Sequence, residues 1–103
     1  MKHRRLGKSA IYVSDICMGT MTFGAQTDEA EAHKILDACF EAGINFFDCA
    51  DVYSKGAAER ILGKFMDGHR DELVITSKCW GKMADDVNGG GSNRRHIVRA
   101  VEA

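Results

Sequence analysis

The sequence predicts an α/β fold in which parallel strands are joined by helical crossovers, and three observations carry that expectation. Short apolar runs alternate with amphipathic stretches three times along the 103 residues, which is the order of a parallel sheet covered by helices. Gly43 and Gly68 stand at the ends of the first two amphipathic stretches. Finally, two apolar runs, Ile44-Asn45-Phe46-Phe47-Asp48 and Leu73-Val74-Ile75-Thr76-Ser77-Lys78, each end in a single ionisable residue. Parallel strands bring their C-terminal ends to one rim, so Asp48 and Lys78 are expected to meet there, with Tyr53 in the loop that follows Asp48.

The elements follow in order. Arg4-Arg5-Leu6, the Gly7-Lys8-Ser9 break and Ala10-Ile11-Tyr12-Val13 read as a short hairpin. Ile16-Cys17-Met18-Gly19 reads as the first buried strand. Thr27 or Asp28 caps a first helix, whose opening acids Asp28, Glu29 and Glu31 suit its positive end. Its apolar face is Ala32, Ile35, Leu36, Cys39 and Phe40, and Gly43 ends it. The second strand is Ile44 to Asp48, and alternation puts Asp48 on the face of Ile44 and Phe46. A second helix shows Ala58, Ile61, Leu62, Phe65 and Met66, and closes at Gly68. The third strand is Leu73 to Lys78, with Lys78 on the face of Thr76 and Val74. After a polar stretch through Gly89-Gly90-Gly91, a third helix starts near Ser92 with Ile97, Val98 and Val101 as its apolar face. It carries no stop signal before Ala103, which is the pattern expected of a chain truncated inside that helix.

Composition narrows the function classes. Fourteen basic residues against fifteen acidic ones leave a net charge of -1, which supplies no electrostatic footprint for nucleic acid or an anionic membrane. No apolar run approaches the ~20 residues of a membrane span, and Met1-Lys2-His3-Arg4-Arg5 leads into no secretory segment, so a cytoplasmic location is expected. Cys17, Cys39, Cys49 and Cys79 lack the spacing of a zinc or redox motif, and read as reduced thiols that serve as small buried apolar side chains. No metal is expected. His3, His33, His69 and His96 read as surface or helix-end residues, and Arg94, Arg95 and His96 as a solvated face. The glycine run is loop flexibility, since neither GxGxxG nor a P-loop lysine motif is present.

The chemistry of Asp48, Tyr53 and Lys78 is that of proton transfer. A phenol with a reference pKa of ~10 is a poor acid at neutral pH; an adjacent ammonium stabilises the phenolate, and a carboxylate holds the ammonium in place. Isolated charges on buried strand faces are costly unless paired, which favours a meeting of the two. Gly19 and Thr20, with Met21 beyond them, follow the first strand where a missing side chain admits a ligand to the backbone. Phe23 and Trp80 lie in strand-helix loops and serve either as an apolar wall for a substrate or as cover for the core.

Leu6-Gly7-Lys8-Ser9, Val13-Ser14-Asp15 and Met18-Gly19-Thr20-Met21-Thr22-Phe23-Gly24 resemble the opening of aldo-keto reductases. The resemblance continues in order through Phe47-Asp48-Cys49-Ala50-Asp51-Val52-Tyr53, Glu59-Arg60-Ile61-Leu62-Gly63 and Val74 to Lys78, and so spans residues 1–103. It implies a (β/α)8 TIM barrel with a hairpin across its bottom, of which this chain holds three strand-helix units in one incomplete domain. It also implies an oxidoreductase in which NADPH reduces an aldehyde or ketone by hydride transfer. Tyr53 would donate the proton, Lys78 would ease its release, and Asp48 would pair with Lys78. Gly19, Thr20, Met21 and Asp48 would touch the cofactor. The family's catalytic histidine at the end of the fourth strand has no counterpart here, and neither have its C-terminal cofactor-binding residues, so the isolated chain is expected to show no reductase activity and no tight NADPH binding, while the two unpaired edges of its three parallel strands are expected to make it aggregate or swap. Cys49 stands where Thr is common, and Ser54-Lys55-Gly56 replaces the frequent Gly-x-Ser. Some members of the family are cofactor-sensing regulatory subunits, which is the alternative reading.

Overall fold

The computed structural model describes residues 1–103. Strands β1 (His3–Arg5) and β2 (Tyr12–Ser14) form the antiparallel hairpin, paired Arg4 to Val13. Strands β3 (Cys17–Gly19), β4 (Phe46–Asp48) and β5 (Val74–Thr76) form a second, parallel sheet in that order. Helices α1 (Glu29–Glu41), α2 (Ala57–Phe65) and α3 (Arg94–Glu102) follow β3, β4 and β5 in turn. Parallel strands cannot be joined by a tight turn, so this alternation is what produces the sheet.

Local chemistry accounts for the boundaries. Asp28, rather than Thr27, caps α1 by accepting a hydrogen bond from the Glu31 backbone N–H at 2.9 Å; the Thr27 hydroxyl pairs instead with that of Thr22. Asn93 caps α3 through the His96 N–H. Gly24 lets the loop after β3 lie on α2, since a Cβ there would stand 2.7 Å from that of Ala57 and its φ is +83°. The hairpin is tied to the start of β4 because Asn45 Oδ1 accepts from the Ser14 N–H and Asn45 Nδ2 donates to the Tyr12 carbonyl. That places it across the N-terminal end of the parallel sheet.

The core lies between one face of this sheet and helices α1 and α2. Phe47 is fully buried there with Leu36, Ala58, Ile61, Leu62 and Phe65, and the Phe47 and Phe65 rings lie 5.7 Å apart. Every apolar residue assigned to α1 and α2 from periodicity packs in or against this cluster. The other face of the sheet is open. Only 18 of 103 residues are buried, and the radius of gyration of 14.6 Å exceeds the about 13 Å of a compact domain this long.

Several expectations are corrected. Strand β3 is not buried, because nothing within these residues covers its second face: Ile16 is 54% exposed, and Cys17 and Gly19 are exposed too. Ile44 does not share a face with Phe46 and Asp48; it precedes β4, so strand alternation does not reach it, and it is buried beside Phe47. The apolar residues of α3 are exposed, Val101 by 79%. His96 is the buried residue of that helix, not a surface one. Of the cysteines only Cys49 is buried, although all four are free thiols.

Candidate active site

The C-terminal ends of β3, β4 and β5 are clipped into one rim by backbone hydrogen bonds that continue the ladder into the loops. The Thr20 N–H donates to the Asp48 carbonyl, Cys49 to that of Thr76, and Asp51 to that of Lys78. Register sets Gly19 beside Asp48 and Asp48 beside Thr76. The Asp48 side chain points to the open face of the sheet, where Thr76 Oγ1 donates to its Oδ1 at 2.7 Å and Lys78 Nζ to its Oδ2 at 2.6 Å. Lys78 Nζ also donates to the Cys49 carbonyl at 2.5 Å and stands 5.0 Å from the centroid of the Tyr53 ring. The three residues singled out in the sequence therefore meet, with the ammonium between carboxylate and phenol.

The electrostatics follow from these contacts. The hydrogen bond from Lys78, helped by that from Thr76 and opposed by burial, holds the Asp48 carboxyl below the usual carboxylate range. Burial alone would lower the Lys78 pKa; Asp48, with a smaller contribution from Tyr53, outweighs it and raises Lys78 above a lysine's ordinary value. Asp48 and Lys78 thus stay ionised together. Burial and then the Asp48 charge push the Cys17 thiol up, keeping it protonated beside the pair.

Tyr53 opens a turn of unusual backbone. Ser54 and Lys55 both lie in the left-handed region at φ 49° and 53°, followed by Gly56 at φ 90°. Side chains avoid this conformation at a cost of roughly 1–2 kcal/mol per residue. Ser54 Oγ is also buried without a hydrogen-bond partner, as is Asp51 Oδ1 on the other side of Tyr53. Departures of this kind gather where the chain must present a particular side chain.

The remaining assignments divide. Gly19 fits a ligand contact, since a Cβ there would meet nothing within 4 Å, and Met21 is 65% exposed. The rim beside Asp48 is therefore open to solvent at Gly19 and Met21. Thr20 is different: it is fully buried and its hydroxyl donates to the Asp48 carbonyl, so it positions Asp48 instead of facing a ligand. Phe23 is 1% exposed and belongs to the core, which removes it from a substrate wall, whereas Trp80 is 75% exposed. Sequence reasoning had assigned no role to Thr76, although alternation placed it on the face of Lys78. It also missed His96, whose Nε2–H donates to the Cys79 carbonyl at 2.7 Å and fastens α3 to the loop after β5. No group of three or more His, Cys, Asp or Glu residues is placed to hold a metal ion.

Residues 15–103 match the Aldo/keto reductase family. The chain belongs to that family. The solved aldo-keto reductase AKR11C1 from Bacillus halodurans, in its holo form, superposes on 99% of this chain with a TM-score of 0.87 and 35% identity. These strand-helix units are accordingly those of an aldo-keto reductase TIM barrel, and they correspond to 34% of that structure. Two plant proteins described as "Probable voltage-gated potassium channel subunit beta", from Oryza sativa subsp. japonica and Arabidopsis thaliana, are each 41% identical over 98% and 100% of this chain. The chain spans about a third of the length of either.

Proposed function

We propose that this aldo-keto reductase segment serves an NADPH-dependent reduction of aldehydes or ketones to alcohols, in the cytoplasm. The observation that carries the reading is the Lys78 ammonium, held by Asp48 and Cys49 and lying against Tyr53. When bound, the reduced nicotinamide would supply the hydride to the carbonyl carbon. Gly19, Met21 and Asp48 would receive its ring, a reading supported by the clear space at Gly19 and the exposure of Met21.

The chain's own residues handle the proton. As the carbonyl oxygen gains negative charge, the Tyr53 hydroxyl gives it a proton, and the product leaves as an alcohol. The phenolate left behind is stabilised by the adjacent ammonium of Lys78. Asp48 keeps that ammonium charged and oriented, and Thr76 fixes the Asp48 carboxylate through its second oxygen. Water then returns the proton to Tyr53. A positioned proton donor contributes ~10²–10⁴-fold, so in the protein containing these residues Tyr53→Phe is expected to lower turnover at least ~10²-fold with little change in NADPH affinity. Turnover near wild type would remove Tyr53 from the reaction.

A second reading is favoured by the plant relatives: a cofactor-sensing regulatory subunit that binds NADPH with little turnover. Carbonyl-dependent oxidation of NADPH, measured beside NADPH binding, separates the two. Binding without oxidation across a panel of aldehydes and ketones favours the sensor.

A further inference from the structure

We propose that Lys55 and Lys82 form an anion site beside Tyr53 that selects carbonyl compounds bearing a carboxylate or phosphate at the end remote from the carbonyl; this rests on the carbonyl-reducing reading above. A groove of about 600 Å³ runs between Val52 and Lys55 of the Tyr53 turn and residues Lys82 to Asp85 of the loop after β5. The two loops are pressed together at its floor, where a Cβ on Gly81 would stand 3.0 Å from that of Val52.

The groove has unspent positive charge. Lys34, Lys64 and Lys78 each have a carboxylate within 4 Å, but neither Lys55 nor Lys82 does, and neither side chain makes a hydrogen bond within the protein. Asp85 is the single acid on this groove's wall, and Asp86 borders Lys82 only from the neighbouring groove. Lys55 is attached to a left-handed turn two residues from the phenol, a conformation that side chains adopt only where the surroundings hold them. That couples its place to the place of Tyr53.

The neighbouring surface says which anion is involved. Lys82 also borders a second groove, with Trp80, Val87 and Asp86 on its walls. The exposed indole of Trp80, together with Val52 and Met83 in the first groove, supplies apolar surface suited to a carbon skeleton. An anionic oxygen group could come from the substrate or from the phosphates of the dinucleotide; the apolar walls favour the substrate.

Two closely related aldehydes test this in the protein containing these residues: 4-carboxybenzaldehyde and benzaldehyde, assayed with wild type, Lys55→Gln, Lys82→Gln, the double variant and Lys82→Arg. Wild type is expected to prefer the carboxylated aldehyde in kcat/KM, less so as salt is raised. The double variant should lose about tenfold of that preference, the sum of two partly screened charges, while Lys82→Arg retains it. A preference unchanged in the double variant overturns the proposal. So does a rise in the Kd for NADPH with the aldehyde preference intact, because the anion is then the cofactor's. If neither aldehyde is turned over, the carbonyl-reducing reading fails on its own, and calorimetric Kd values for 4-(hydroxymethyl)benzoate decide the anion site: about tenfold weaker binding to the double variant upholds it, and equal binding overturns it.

Discussion

Phe47 and Asp48 are neighbours in β4, yet they belong to different worlds. Phe47 points into the helix-covered face and is wholly buried among Leu36, Leu62 and Phe65. Asp48 points to the open face and meets Lys78 and Thr76 there. The pleat sends successive side chains to opposite sides, so one strand contributes stability on one face and chemistry on the other. The two faces ask for opposite surroundings: dry, close packing for one, an approach for water and ligand for the other.

The largest effect is expected on the buried side. Phe47→Ala should cost ~3–5 kcal/mol of stability, as large aromatic truncations in closed cores do, read as a shift in the denaturation midpoint. A loss under ~1 kcal/mol would mean that the helix-covered face is not packed as described. On the open side, the strained turn beside Tyr53 carries the next effect. Ser54→Gly removes a side chain from the left-handed region and an unpaired buried hydroxyl; set against the entropy of glycine, the gain is about 1 kcal/mol in the same measurement.

A smaller effect comes from the Asp48 and Lys78 pair, whose side chains are 39% and 47% exposed, so it is worth roughly 0.5 kcal/mol, as for exposed pairs. The Asp48 pKa is depressed in the folded protein, so its contribution is present above the ordinary carboxylate range and is lost as pH falls through the depressed value. The Lys78 pKa is raised, so its contribution is present below the ordinary lysine range and is lost as pH rises through the raised value. The stability difference between wild type and Asp48→Asn, followed against pH, should therefore be a plateau through neutrality that closes at both ends. A difference that grows in acid contradicts the pairing. The smallest effect is expected for Val101→Ser: at 79% exposure the change should stay within about 0.5 kcal/mol, although Val101 and the buried Leu62 are equally apolar in the sequence.

That last contrast marks how far the sequence could be read. The faces of α1 and α2 were legible because apolar residues at helical spacing have an obligatory destination, and here the sheet lies under them. The same periodicity in α3 was read correctly as a helix but not as an exposed one, because amphipathicity states that a face needs cover without saying what covers it. Asp48 and Lys78 could be paired from their place at two strand ends, since parallel strands share a rim. Thr20 was expected at a ligand and Phe23 was left open between substrate wall and core for a related reason: a residue in a strand-to-helix loop can turn toward the rim or toward the core, and local sequence does not distinguish the two.

By itself, then, the sequence determined the order and type of the elements, through periodicity, caps and glycine stops, and it determined which ionisable groups would share the rim, through their position at strand ends. How those groups touch depends on packing between segments. That Lys78 is held by the Cys49 carbonyl as well as by Asp48, that Thr76 fixes the second carboxylate oxygen, that Ser54 and Lys55 take a left-handed backbone and that His96 is drawn inward to Cys79 all depend on contacts between residues distant in the chain or on strain imposed by their surroundings. Such contacts are set by how loops from different strands pack together, and no spacing within one segment encodes them.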